Sequence, residues 1–402
     1  MSGIDWLSWL ELVLRWFHMI AGIAWIGSSF YFIWLDNNLR RSADTPEGVA
    51  GDLWAVHGGG FYHNRKYMVA PDDLPAELHW FKYEAYFTWI SGFLLLGVLY
   101  YLGAELYLID PAKLELSPVA ATGIGIGALA GGWLVYDGLC RSPLGRHNLA
   151  FGVVWFAILT AVAAGLLAVF SGRGATIHLG ALIGTAMAAN VFFVIIPNQK
   201  KAVAAMQAGL PVDPALGKAA KQRSLHNNYM TLPVLFLMVS NHYPAVFSGP
   251  HAWVTLTGIS LSGVLVRHFF NLRHLGQVKA GYVFAGGLVF LLTILLSADL
   301  RRAPADSADG AAVGFTEVEA IIGRHCVSCH AAAPAHPAFA EAPMGVRLDG
   351  AAFISRYAPR IRAQAVDSHA MPLGNESGMT PDERAALGRW IAAQTAEDGD
   401  DR

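Results

Sequence analysis

The hydrophobic residues of this chain fall into long runs separated by polar segments. Eight runs have about the twenty residues that a helix needs to cross the hydrocarbon core of a bilayer. The first run has soft boundaries and the sixth contains Pro233 and Pro244, so seven or nine helices remain open. The pattern predicts an all-α fold with a polytopic membrane bundle of about eight transmembrane helices. The runs cover residues 8–34, 84–102, 119–136, 149–170, 176–197, 229–247, 252–271 and 280–298.

Composition supports an integral membrane protein. The chain has 402 residues, of which 54% are hydrophobic and 14% charged, with a mean hydropathy of +0.40. Soluble domains average about a quarter charged residues. The first run is too long for the apolar core of a signal peptide and has no cleavage site of small residues, so it is expected to remain as a helix. Membrane lipid is a predicted partner, and nucleic acid is not.

The distribution of Lys and Arg predicts the orientation. Alternate connections between the runs carry fourteen of these residues, and the remaining connections carry only Lys113 and Arg173. Because Lys and Arg accumulate on the cytoplasmic side, both termini are expected on the opposite side. For a bacterial inner membrane, that side is the periplasm.

The composition changes after the last run. Residues 299–314 are rich in Ala, Asp, Pro, Ser and Gly without a hydrophobic period, which indicates a flexible linker. The chain therefore divides into a membrane domain at 1–298, the linker, and a C-terminal domain at 315–402.

The C-terminal domain begins with a cysteine motif. Cys326 and Cys329 are followed by His330, and C-x-x-C-H is the pattern that attaches a c-type haem through two thioethers with His as the axial ligand. The chain has only three cysteines, which makes a chance occurrence of this spacing improbable. A redox-active cysteine pair or half of a zinc site is the alternative. Haem c is attached outside the cytoplasm, which agrees with the predicted orientation.

A second axial ligand is expected downstream. Met371 lies in a Pro- and Gly-rich stretch and is the predicted distal ligand, with Met344 and Met379 as weaker candidates. Thr380 to Glu383 then forms a capping-box pattern that opens a terminal helix. Helix, haem motif, loop with Met and terminal helix are the arrangement of a small class I cytochrome c, over residues 313–396.

Glycines in the third run predict close helix packing. Gly123, Gly127 and Gly131 recur at four-residue spacing, which allows a neighbouring backbone to approach.

Histidines in the membrane domain are candidates for chemistry, because ionisable residues are costly to bury there. His18, His178, His242 and His251 fall in the predicted outer half. A pair of them could hold a b-type haem between helices, and the alternative is a packing role for each. We predict that His18 is functional, as a haem ligand or a base.

Polar and aromatic residues concentrate at the predicted inner side. His63 and Arg65 lie in an aromatic first connection that is expected to fold against the bundle, and His226, Asn227 and Arg267 lie near helix ends across from it. Guanidinium, imidazole, amide and aromatic groups together could bind a flat anionic heterocycle. A belt of basic and aromatic residues at the lipid headgroups is the alternative.

Several segments resemble the membrane-bound, cytochrome c-linked urate oxidases (urate hydroxylases) of bacterial purine catabolism. The resemblance covers nearly the full chain, including the C-terminal cytochrome. It is carried by WFHMIAGIAWIGSSFYFIWLD, GGGFYHNRKY, LHWFKYEAYFTWISGFLLLG, YDGLCRSP, MAANVFFVIIPNQKK and RSLHNNYMTLPVLFLMVSNHYP.

The resemblance implies oxidation of urate to 5-hydroxyisourate without peroxide. Electrons would pass to haem c and then to a soluble cytochrome c or a terminal oxidase.

The chemistry itself asks for a cation, a base and a positioned water, because urate is an anion that must lose a proton and be hydrated. Arg65 or Arg267 is a candidate anchor and His63 or His226 a candidate base. Asn227 or Asn228 is a candidate for orienting the ring or the water.

Two other functions remain open from the sequence. One is a membrane-anchored cytochrome that only transfers electrons, although the bundle is larger than an anchor requires. The other is a transporter with a fused redox domain, which the absence of paired interrupted helices disfavours.

Overall fold

This computed structural model describes residues 6–68, 71, 75, 77–248, 251–301 and 313–400. The described chain is mostly helical, as predicted. The helices of the N-terminal bundle are α1 (Trp6–Asn38), α2 (Tyr83–Leu96), α3 (Ala104–Tyr107), α4 (Pro118–Arg141), α5 (Asn148–Val169), α6 (Gly172–Ala189), α7 (Ile196–Gln207), α8 (Pro214–Ser240), α9 (Pro244–Phe247), α10 (Ala252–His274) and α11 (Gly281–Arg301).

Each predicted run coincides with a helix. Five of the described helical segments are long and apolar enough to cross a membrane, counting α6 and α7 as one continuous segment, and α11 contributes a shorter apolar stretch. These helices are compatible with a membrane protein. Most of the predicted linker, 299–314, lies outside the described residues.

A β-hairpin departs from the all-α prediction. Strand β1 (Val49–His57) pairs antiparallel with β2 (Gly60–Tyr67), so that His57 faces Gly60 across the turn. Gly58 and Gly59 have φ angles of 59° and 79°, which a two-residue turn between twisted strands favours and which glycine adopts readily. The hairpin occupies the aromatic connection between α1 and α2.

The centre of the bundle is α6, which packs against α4, α5 and α8. Small residues allow the close approach. A side chain at Gly132 would lie 2.5 Å from Leu182, and one at Gly125 would lie 2.6 Å from the His178 ring. Side chains at Gly123, Gly127 and Gly131 would meet no described residue within 4 Å. The prediction that these three glycines allow close helix packing is therefore wrong, because a different face of α4 packs on α6.

The helix hydrogen bonding widens between α6 and α7. Residues Asn190–Ile195 form a π-helical turn, which directs Asn190 into the bundle with its side chain fully buried. Such turns insert an extra residue and are frequent at functional sites.

The C-terminal domain contains three helices, α12 (Phe315–His325), α13 (Ala351–Ile361) and α14 (Pro381–Asp400). Val318 and Ile322 of α12 are buried with Leu387 and Ile391 of α14 in one core. The predicted capping box is present: the backbone N–H of Glu383 donates to Thr380 Oγ1 at 3.3 Å, and the Glu383 carboxylate accepts from the Thr380 N–H at 2.8 Å. Helix α13 was not predicted.

Candidate functional site

A cavity of about 890 Å³ lies between α1, α7, α8 and the hairpin, within the size range of small-molecule sites. We call it the hairpin cavity. Its walls combine aromatic rings, cations and amide or hydroxyl groups. Residues that line it include Trp25, Ser29, Phe32, Asp36, Arg65, Lys66, Tyr67, His79, Trp80, Phe81, Gln199, Ser224, Asn227 and Thr231.

Aromatic side chains form one wall of the hairpin cavity. Phe81 contacts both Phe32, with ring centroids 4.7 Å apart, and His79, at 4.6 Å, each edge to face. Interlocked rings have few rotamers open to them, so they provide firm apolar surfaces for a planar ligand. His79 brings an imidazole into this wall.

Charges at the hairpin are mostly paired. Lys66 bonds Asp36 at 2.7 Å, and Asp52 accepts from His63 at 2.8 Å while Arg65 lies 3.8 Å from the same carboxylate. His63 also stacks on Trp54 and does not line the hairpin cavity. Of the two predicted residues, Arg65 therefore reaches the cavity and His63 does not.

Asn227 is held rigidly in the cavity wall. Its Nδ2 donates to the Met187 carbonyl at 3.0 Å, and its Oδ1 accepts from Asn190 at 2.8 Å. Asn190 in turn accepts from Arg223, whose other nitrogen bonds Asp137 at 2.6 Å. The network fixes the amide before any ligand arrives.

His226 faces away from the hairpin cavity. Its Nδ1 lies 2.8 Å from the Tyr136 hydroxyl, and its ring stacks on Phe151 with centroids 4.2 Å apart. Nε2 is buried without a hydrogen-bond partner among the described residues. The structure thus separates His226 from Asn227, its neighbour in sequence.

Arg267 is a buried cation without a carboxylate partner in the described part of the chain. Its Nε donates to Asn228 Oδ1 at 3.0 Å, and its guanidinium lies 3.9 Å from the centroid of the Phe30 ring. Arg267 Nη2, Asn228 Nδ2 and Asn271 Oδ1 are buried without partners among the described residues.

This cluster adjoins residues that line the hairpin cavity without lining it itself. Helical spacing puts Asn228 on the same side of α8 as Ser224 and Thr231, both of which line that cavity. Arg223, by contrast, is neutralised by Asp137.

His18 joins α1 to α2 away from the cavity. Its Nδ1 lies 3.0 Å from the Thr88 carbonyl oxygen and 3.1 Å from the Ser91 hydroxyl. A side chain at Gly92 would come within 2.7 Å of the ring. Counted along α1, His18 is about 10 Å from Trp25 at 1.5 Å per residue.

His178 is held between α6 and α4. Its Nδ1 lies 2.8 Å from the Gly174 carbonyl oxygen, which assigns the proton to Nδ1, and its Nε2 lies 3.3 Å from the Tyr101 hydroxyl with Gly125 packed beside it. A b-type haem between His178 and another of these histidines stays a prediction.

The cysteine motif of the C-terminal domain fits a c-type haem. His330 Nδ1 lies 2.8 Å from the Val346 carbonyl oxygen, a contact that assigns the proton to Nδ1 and leaves the Nε2 lone pair for a metal. Burial raises the pKa of the Cys326 thiol to about 12. No group of three His, Cys, Asp or Glu suited to a metal occurs among the described residues.

The three methionines differ in position. Met344 is 93% exposed and Met379 is 1% exposed inside the domain core, whereas Met371 is half-buried and packs against the same cluster as Cys326. Of the three, only Met371 is partly accessible and packs on the same core as Cys326.

Fold and cavity together define a helical-bundle protein with an internal cavity lined by aromatic, cationic and amide groups. The chain belongs to the urate oxidase N-terminal family, whose model matches residues 5–298. The family indicates an oxidoreductase that acts on urate. No curated protein and no solved structure matches the chain.

Proposed function

We propose that this protein oxidises urate to 5-hydroxyisourate in the hairpin cavity and passes the electrons to a haem c in its C-terminal domain. One urate and one water give one 5-hydroxyisourate, two protons and two electrons. The electrons leave to a one-electron acceptor such as a soluble cytochrome c, so no peroxide is formed.

The observation that carries the proposal is the lining of the hairpin cavity, within the part of the chain that matches the family. Trp25 and Phe81 offer faces for a planar purine, Arg65 offers a cation, and Asn227 offers an amide fixed by its neighbours. Arg267, which has no carboxylate partner among the described residues and bonds Asn228 on the cavity side of α8, adds positive potential, which favours an anion.

His79 is the base in this proposal. It lines the hairpin cavity, unlike His63 and His226, and its imidazole can accept a proton as urate loses electrons. Gln199 and Ser29 at the same cavity can hold the water that hydrates the ring. Arg65 anchors the urate anion by direct contact, and Arg267, which does not line the cavity, attracts it electrostatically.

Cys326 and Cys329 would hold the haem covalently, with His330 and Met371 as axial ligands. The group supplies one-electron chemistry when bound. The helices that are long and apolar enough to span a bilayer, together with the Lys and Arg distribution, support an inner-membrane protein whose hairpin faces the cytoplasm and whose C-terminal domain lies in the periplasm.

Anaerobic mixing of purified full-length protein with urate tests the proposal. We expect the haem absorption to become that of the reduced form. One 5-hydroxyisourate should appear for every two electrons transferred. A protein that only transfers electrons would bind haem but stay oxidised with urate, and that result would refute urate oxidation.

Two matched variants test the site. His79→Gln is expected to lose turnover while keeping urate binding, measured by quenching of tryptophan fluorescence. His63→Gln, a change of the same kind outside the cavity, is expected to keep both. The reverse outcome would assign the base to His63.

A further inference from the structure

A short turn of the C-terminal domain packs against the bundle. Residues Leu373–Asn375 form a 3₁₀ turn that contacts α3. Gly374 has a φ angle of 61°, and a side chain there would lie 2.6 Å from the Leu106 carbonyl oxygen and 3.1 Å from that of Ile109. Only glycine allows this approach of backbone to backbone.

The same loop carries Met371. The Arg384 guanidinium, 5% exposed, donates to the Met371 carbonyl at 2.6 Å and to Asn375 Oδ1 at 2.9 Å. Asn375 also donates to the Met379 carbonyl oxygen at 3.3 Å. The buried Arg384 thus links the turn that touches the bundle to Met371, which packs on the same core as Cys326.

The joint encloses a second cavity of about 460 Å³, the joint cavity. Both bodies line it: Tyr107, Arg173 and Trp253 come from the bundle, and His369 and Asn375 come from the loop. The loop that carries Met371, residues 368–375, therefore lies on the side of the C-terminal domain that faces the bundle.

The two cavities lie at opposite ends of α6. Arg173 lines the joint cavity and Met187 lines the hairpin cavity, fourteen residues further along the helix. At 1.5 Å per residue this is about 21 Å. Electrons released at the hairpin cavity have to leave the bundle at the α3 end to reach the C-terminal domain.

We propose that the Met371 loop is the face through which the C-terminal domain receives electrons from the bundle, and that the seat of Gly374 on α3 sets the approach of the two. This rests on the proposed function, because it requires a haem in the domain. Each electron crosses the joint singly, two per urate, and leaves to an external one-electron acceptor.

Gly374→Ala in the full-length protein tests the joint, with Gly378→Ala as its control. Gly378 lies just beyond the Met371 loop with a φ angle of 67°, and nothing lies within 4 Å of the position of its side chain. Both changes impose the same backbone strain, and only the first disturbs the seat on α3.

We expect reduction of the haem by urate to slow several-fold in Gly374→Ala and to stay at the wild-type rate in Gly378→Ala. Reduction by ascorbate from solution should be equal in all three proteins. Amide hydrogen exchange in Ala104–Tyr107 should quicken only in Gly374→Ala. Gly374→Asn, which tolerates a positive φ better than Ala, repeats the test if the first variant does not accumulate.

Equal urate rates in the two alanine variants, or faster exchange in neither, would overturn the proposed joint. Absence of covalent haem from the wild-type protein would instead refute the proposed function, so the two failures are distinguishable.

Discussion

The Arg384 guanidinium donates a hydrogen bond to the carbonyl oxygen of Met371 over 2.6 Å. Removing it with Arg384→Leu leaves the carbonyl oxygens of Met371 and Ala365 and the amide oxygen of Asn375 without their donor, at a cost of about 1–3 kcal/mol for each unsatisfied buried group. We expect the variant to keep covalent haem and to lose the absorption band of methionine-to-iron coordination.

Arg324→Gln is the control for that change. Arg324 is 63% exposed and pairs with Glu383, and such a surface pair contributes about 0–1 kcal/mol. A coordination band that survives Arg384→Leu would show that the Met371 loop holds its position without this cation.

Replacing Met371 with His should lower the reduction potential of the haem, because imidazole favours the ferric state more than a thioether does. Potentiometric titration measures the shift. Met344→His, at a residue 93% exposed, should leave the potential unchanged. A shift in the second variant alone would move the ligand to Met344.

Arg267 and Arg223 are expected to respond oppositely to replacement by methionine. Arg267→Met removes a buried charge that has no carboxylate partner among the described residues, so thermal stability should hold or rise while the Kd for urate increases about tenfold or more, which is about 1.4 kcal/mol.

Arg223→Met removes the Arg223–Asp137 contact of 2.6 Å and the donor to Asn190, while Arg141 stays 2.7 Å from the Asp137 carboxylate. Stability should therefore fall by about 1–3 kcal/mol. Melting curves with and without urate distinguish the two effects. A loss of stability in Arg267→Met with unchanged urate affinity would make Arg267 structural.

His18→Asn tests the hypothesis that His18 is functional. The asparagine amide can still donate to the Thr88 carbonyl oxygen that His18 contacts at 3.0 Å. If His18 is functional, as predicted, the variant should fold with haem attached but fail to reduce it with urate. Turnover at the wild-type rate would make His18 a packing residue between α1 and α2.

Stability of the C-terminal domain should depend on pH through Glu383. The Thr380 backbone N–H, together with His325, holds the pKa of Glu383 below its ordinary value. The carboxylate therefore stabilises the domain fully above the ordinary glutamate pKa, and this contribution disappears as the pH falls through the lowered one. Arg324 and His325 both face the same carboxylate.

Glu383→Gln should accordingly lower the unfolding temperature at neutral pH and have no effect in strong acid. Haem absorbance of the full-length protein reports the transition. Asp382→Asn, also in the first turn of α14, is the control. An equal loss at both pH values would point to packing and not to charge.

Sequence patterns gave the helices because hydrophobic length and helix caps are local properties. They did not give the rotation of each helix. Helix α4 is apolar nearly all round, so nothing local distinguishes Gly125 and Gly132 from Gly123 and Gly127. A side chain at either of the first two would meet α6, whereas one at either of the last two would meet no described residue within 4 Å.

The site was predicted only in part, because local sequence patterns do not show which side chains meet in three dimensions. Arg65 and Asn227 reach the hairpin cavity, but His79 was not among the predicted site residues although it lies in the same aromatic segment. Whether Arg267 has a carboxylate partner depends on residues from other helices. No local sequence pattern therefore predicts that it lacks one among the described residues. The hairpin did have one, two glycines between extended polar and apolar residues, which the aromatic content of the segment obscured.

The separation of about 21 Å along α6 has an energetic consequence. In the proposed orientation each electron moves outward across about two thirds of a hydrocarbon layer of about 30 Å. A full crossing corresponds to about 2.3 kcal/mol per charge for every 100 mV. Because the cytoplasm is the negative side, the membrane voltage would pull the reaction forward, and the cell would discharge part of its voltage with each urate consumed.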